Sequence, residues 1–113
     1  MRSSYINAAV LNAQYSNVKV AMHGAVVIHR GKIVGNGYNK YKIDDPSHGN
    51  RYSIHAEVDA INNALRKISY EDLTKCILVV VRVNKSGEIN GSYPCKCCRN
   101  TIIHHGLKSC FYS

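Results

Sequence analysis

Four side chains in this sequence are of the right type and spacing to act together chemically. They are His55 and Glu57 of His55-Ala56-Glu57, and Cys95 and Cys98 of Pro94-Cys95-Lys96-Cys97-Cys98. One imidazole and two thiolates spaced C-x-x-C are good zinc ligands, and three ligands leave a tetrahedral ion one open position. Glu57, two residues beyond His55, is near enough to reach that position without filling it. The pattern is that of a catalytic metal centre rather than a closed structural one.

Both groups fall where a loop gives way to helical periodicity. Free N–H groups and partial positive charge at a helix N-terminus favour thiolate over thiol at Cys95 and Cys98. Those two cysteines, three apart, share one face of a helix, whereas His55 and Glu57, two apart, would diverge inside one. They converge only if His55 still lies outside helical geometry, so the spacing predicts an end-on site. Two other readings use the same residues. A closed zinc site would need a fourth ligand, with Cys97, His104 or His105 as candidates, and a lone C-x-x-C can be a redox motif, although the thioredoxin-like context for that is absent.

Helical spacing of Ile6, Ala9, Val10 and Ala13 predicts a first helix from Ser3 to about Ser16, with Ser3 or Ser4 able to cap it. Met22 to His29 reads as a strand, Arg30-Gly31-Lys32 as a turn, and Ile33 to Asn39 as the returning strand of a hairpin. Gly35 and Gly37 permit a close approach of another backbone or a ligand. Asp44, Asp45, Pro46, Ser47, Gly49 and Asn50 mark Lys40 to Ser53 as a loop that delivers the chain to His55. A helix follows on the stripe Val58, Ile61, Leu65 and Ile68. Cys76 to Val81 is an unbroken apolar run, the pattern of a strand buried on both faces. A loop from Asn84 to Tyr93 leads to a helix over Cys95 to His105, ended by Gly106, and Ser109 to Tyr112 reads as a last strand. Strands linked by helices imply a single α/β domain with parallel pairing and helices covering the sheet.

Composition narrows the setting. The chain has 113 residues, 45% of them hydrophobic, enough for one packed domain and too few for two. No apolar run can span a bilayer and no signal peptide is visible, so a cytoplasmic or nuclear protein with no membrane partner is expected. The cysteine count of 5 is odd and the cluster is crowded, against a disulfide framework. Cys76 and Cys110 read as small core residues. Lys and Arg number 15 against 7 Asp and Glu, a net charge of +8 that attracts phosphate. The basic residues are dispersed, however, and no block of them reads as a nucleic-acid tail. Lys40, Lys42 and Arg51, before His55, are candidates to cradle a phosphate.

The order H-x-E then P-C-x-x-C is a zinc deaminase signature, and the chain resembles the zinc-dependent cytidine and deoxycytidylate deaminase family. The similarity runs from His23-Gly24-Ala25-Val26 through Gly35-Asn36-Gly37-Tyr38-Asn39, His55-Ala56-Glu57 and Pro94-Cys95-Lys96-Cys97-Cys98 to Tyr112, nearly the whole chain. The resemblance implies a three-layer α/β/α fold around a mixed sheet of about four strands, with one zinc ion between two helix N-termini. It implies His55, Cys95 and Cys98 as ligands, Glu57 as proton shuttle, and Asn39, Ala56 and Pro94 beside the substrate. The implied activity is hydrolysis of a C–N bond in a cyclic amidine, converting a cytosine compound to its uracil form with release of ammonia.

Small size and dispersed charge favour a free nucleoside, nucleotide or base as substrate. A polynucleotide deaminase, which needs a groove for flanking nucleotides, is the alternative. An inactive zinc-binding module is a third possibility, and Glu57 argues against it, since a structural site has no use for that carboxylate. Deamination of a purine base is a fourth. Family members usually carry a fifth strand, and this sequence stops at Ser113 after its fourth. The exposed sheet edge is therefore expected to be covered by the first helix or by a neighbouring subunit, which favours a homo-oligomer.

Overall fold

Alternation in Met22–His29 (β1) sends Met22, Val26 and Ile28 to one face and Ala25 and Val27 to the other, and all five are buried. A strand buried on both sides belongs at the centre of a sheet. In the computed structural model, β1 lies between Lys32–Tyr38 (β2) and a later strand, Ile77–Val83 (β5), and is antiparallel to both. The structure describes residues 3–18, 21–45, 50–84, 86, 88, 89 and 109–112, and for 42–45, 50–53 and 109–112 it describes the backbone alone.

The hairpin joining β1 to β2 turns on Arg30 and Gly31, both at positive φ (52° and 79°), a geometry that matches the twist of the flanking strands. The Tyr5 hydroxyl donates to the Gly31 carbonyl at 2.8 Å, tying the turn to Ser3–Ala13 (α1). This helix is shorter than its periodicity predicts, and the next residues close single turns instead, such as Ser16 N–H to Ala13 O at 3.0 Å. Ala9 and Ala13 are fully buried. Gly24 of β1 faces them so closely that a Cβ there would strike the Ala9 carbonyl oxygen.

The segment expected to be a loop, Lys40 to Ser53, is largely a second hairpin, which corrects the sequence reading. Lys40–Asp45 (β3) and Asn50–Ile54 (β4) pair antiparallel, Lys40 opposite Ile54, and form a separate two-stranded sheet. The Lys-Tyr-Lys-Ile stretch that opens β3 is ordinary β sequence, and the turn-forming Asp44 and Asp45 close that strand. β4 runs directly into Ala56–Ala64 (α2). A short helix not expected from the sequence, Tyr70–Leu73 (α3), starts at Ser69, whose hydroxyl accepts from Asp72 N–H at 3.2 Å.

The main sheet has the order β2-β1-β5-β6, with Ser109–Tyr112 as β6, parallel to β5. Parallel pairing therefore holds for β5 and β6, while the neighbours of β1 are antiparallel. β2 and β5 run the same way with β1 between them, joined by the crossover through α2. One core lies under α1, against Val26, Val79 and Val81, and the other under α2, against Val27, Leu78 and Val80. The four-stranded mixed sheet with helices on both faces is the α/β/α sandwich expected. α1 covers a face of the sheet rather than its edge. Cys76 is fully buried, a small core residue as predicted. Among the described residues, no helix is long and apolar enough to cross a membrane.

Candidate active site

The site is built on the N-terminal end of α2, and β2 sets where that end lies. Gly35 and Gly37 face Ala60, Ala64 and Ala56. With no side chain between them, the strand and helix backbones pack directly against one another. Two α2 side chains one turn apart then reach around the outer edge of β2. The Asp59 carboxylate accepts from Tyr38 N–H at 3.2 Å, and the Asn63 amide donates to Asn36 O at 2.6 Å. These are groups that a further strand would otherwise satisfy.

His55 is the N-cap of α2, with extended backbone (φ −79°, ψ 148°), and its side chain makes no capping hydrogen bond. This is the end-on arrangement that the His55–Glu57 spacing requires. Glu57, in the first helical turn, is buried at 4% exposure. Ala56 is fully buried in the α2 core, which leaves its backbone as the part able to meet a substrate.

Asn39 is bound at both ends of its amide. Its oxygen accepts from His23 N–H at 2.8 Å, its nitrogen donates to Ala21 O at 2.6 Å, and its own backbone N–H donates to His23 O at 3.2 Å. It therefore clips the end of β2 to the start of β1. Its amide nitrogen also lies 3.5 Å from His23 Nδ1, which leaves one oxygen lone pair for another partner.

Sequence reasoning assigned no role to His23, yet it belongs to this end of the sheet. It shares a face of β1 with Ala25 and Val27, under α2, and pairs in register with Arg82 of β5. Its Nδ1 lies 3.1 Å from Ala21 O. Burial pushes its imidazole below the ordinary value of 6.5, against the opposing pulls of that carbonyl and the Glu57 carboxylate, while Arg82 and His55 push the same way as burial. The two-residue period of β1 was the available signal for this placement. Asp59 was missed as well, and no sequence signal marks a side chain that bonds to a strand edge.

Lys40, a candidate for cradling phosphate, is engaged elsewhere. Its ammonium lies 3.1 Å from Asp59 Oδ2 and 4.2 Å from the centre of the Tyr38 ring. The side chains of Lys42 and Arg51, and Pro94, Cys95, Cys97, Cys98, His104 and His105 with the helix expected around them, lie outside the described residues. Among the described residues, no three His, Cys, Asp or Glu side chains cluster as metal ligands. What the described part shows suits zinc: an imidazole at a helix end, with a buried carboxylate two residues away. The donor set completed by two thiolates is one that zinc takes.

The sequence profile described as the cytidine and deoxycytidylate deaminase zinc-binding region matches residues 1–113. No curated protein sequence matches the chain. Among solved structures, the dCMP deaminase of cyanophage S-TIM5 is 24% identical, with 97% of this chain and 82% of that one covered and a TM-score of 0.69. Guanine deaminase from Bacillus subtilis is 26% identical, with 100% of this chain and 64% of that one covered and a TM-score of 0.69. Cytidine deaminase from Burkholderia pseudomallei is 22% identical, with 94% and 78% covered and a TM-score of 0.66. The chain belongs to the cytidine and deoxycytidylate deaminase family, zinc-binding hydrolases that act on C–N bonds.

Proposed function

We infer that this chain deaminates a free cytosine compound (nucleoside, nucleotide or base) to its uracil form, as one domain holding one zinc ion. The observation that carries this is the start of α2, where His55 stands outside helical geometry and Glu57 is buried in the first turn. His55, Cys95 and Cys98 would hold the metal, which when bound supplies a Lewis acid that makes water a nucleophile at neutral pH.

The described residues assist in distinct ways. Glu57 takes the proton released from water and passes it to the ring nitrogen, so that the carbon bearing the amine becomes electrophilic. The water oxygen adds to that carbon, Glu57 moves the remaining hydroxyl proton to the amine, and ammonia departs as the C–N bond breaks and the carbonyl forms. Burial of Glu57 limits exchange with solvent during this transfer. Asn39, held to β1 through both ends of its amide, offers its remaining oxygen lone pair to the substrate, and Ala56 and Pro94 would stand beside the ligands.

Support for a nucleotide comes from the cyanophage enzyme, which has been solved with dCMP and dUMP. Lys40 does not contribute to that reading, because its charge is matched by Asp59. Guanine is a second reading, favoured by the higher identity to the Bacillus subtilis enzyme, of which this chain spans less than two thirds.

The test is ammonia release by purified, zinc-assayed protein from cytosine, cytidine, deoxycytidine, deoxycytidylate, adenine compounds and guanine. Glu57→Gln is expected to keep its zinc while turnover falls by about 100-fold or more. Normal turnover in that variant, or no ammonia from any of these compounds with the wild type, refutes the proposal.

A further inference from the structure

Asp59 lies outside the ligand set and is two residues past Glu57, yet it joins both sides of the site. Its backbone N–H donates to the His55 carbonyl at 3.0 Å, closing the first turn of α2. Its carboxylate accepts from Tyr38 N–H at 3.2 Å and meets the Lys40 ammonium at 3.1 Å. Tyr38 and Lys40 flank Asn39, which is fastened to β1 by its own amide. Three consecutive residues are thus held alternately, to α2, to β1 and to α2. The hold on α2 passes through one side chain.

We propose that Asp59 is a positioning residue: its hydrogen bond to Tyr38 N–H sets the His55–Glu57 turn against the end of β2 that carries Asn39. This rests on the reading of His55 as a zinc ligand and Glu57 as proton carrier. Asn63 provides an internal comparison. It makes the equivalent bond to the β2 edge, to Asn36 O at 2.6 Å, but one helical turn farther from His55. If strand-to-helix attachment mattered only for stability, the two residues would be interchangeable. If Asp59 acted only as a negative charge near the helix terminus, a neutral amide could not replace it.

The experiment compares Asp59→Ala, Asp59→Asn and Asn63→Ala with the wild-type chain in three measurements. These are the rate of zinc loss to a chromogenic chelator, kcat and KM on the best substrate of the wild type, and thermal melting. Asp59→Ala is expected to lose zinc about 10-fold faster and to lower kcat more than it raises KM. Asp59→Asn keeps an acceptor for Tyr38 N–H and should return both values close to wild type. Asn63→Ala should lower the melting temperature and leave zinc loss unchanged.

The proposal is overturned if Asn63→Ala sheds zinc as fast as Asp59→Ala, if Asp59→Ala sheds it no faster than wild type, or if Asp59→Asn behaves like Asp59→Ala. Should Asp59→Ala fail to fold, Asp59→Asn decides: wild-type zinc retention and kcat support the hydrogen-bond role, and rapid zinc loss refutes it. A zinc-loaded wild type that releases no ammonia defeats the deaminase reading instead, and the chelator comparison still judges Asp59.

Discussion

Gly37 and Ala60 fix the height of α2 above the sheet. A Cβ on Gly37 would press on the Ala60 nitrogen and lie 2.5 Å from the Ala56 carbonyl oxygen. These are backbone atoms and cannot swing aside. Gly37→Ala is therefore expected to lower stability by about 1–3 kcal/mol, as overpacking does, read from the denaturant midpoint. Because the helix must lift at the end that carries His55 and Glu57, kcat should fall in the folded variant too.

Asn39→Ala strips the side-chain partner from His23 N–H and leaves Ala21 O with the His23 ring nitrogen, 3.1 Å away. The expected cost is about 1–3 kcal/mol if that N–H is left unsatisfied. Asn39→Asp keeps the acceptor for His23 but replaces the donor with an anion facing the Ala21 carbonyl, so it should recover little of the loss. Urea unfolding of the three proteins measures this.

Protonation of His23 sets a pH dependence. Burial lowers its pKa below 6.5 in the folded chain, and nearby Arg82 and His55 act in the same direction against Ala21 O and Glu57. The unfolded chain thus takes up this proton first, and stability drops as pH falls through 6.5 toward the lower folded value. Above that window the contribution is constant. Urea midpoints from about pH 7.5 to about pH 5 should decline less steeply in His23→Gln than in wild type. Equal slopes contradict the assignment.

Removal of zinc by a chelator should abolish ammonia release, and added zinc should restore it. A metal that binds only the folded chain stabilises that chain, so the stripped protein should melt at a lower temperature. Calorimetry with and without zinc measures the difference.

Much of this was readable from residue types in order. β1 covers the strand-like apolar run from Met22 to His29, and His55 stands outside helical geometry at the N-cap, where the spacing of an end-on i, i+2 pair puts it. The β3–β4 hairpin was hidden because Asp44, Asp45, Pro46 and Gly49 dominate the composition between Lys40 and Ser53. The roles of Asp59 and Asn63 were illegible for a different reason. They depend on which strand edge a helix happens to overhang, and local sequence does not encode that relationship.

The reach of Asp59 and Asn63 around β2 bears on how molecules of this chain can meet. A foreign strand adding to β2 would have to displace the bonds at Tyr38 N–H and Asn36 O before gaining any of its own. Runaway templating along that rim is thereby discouraged without a proline or an unmatched charge, and the residues that guard it belong to the same helix that begins beside His55.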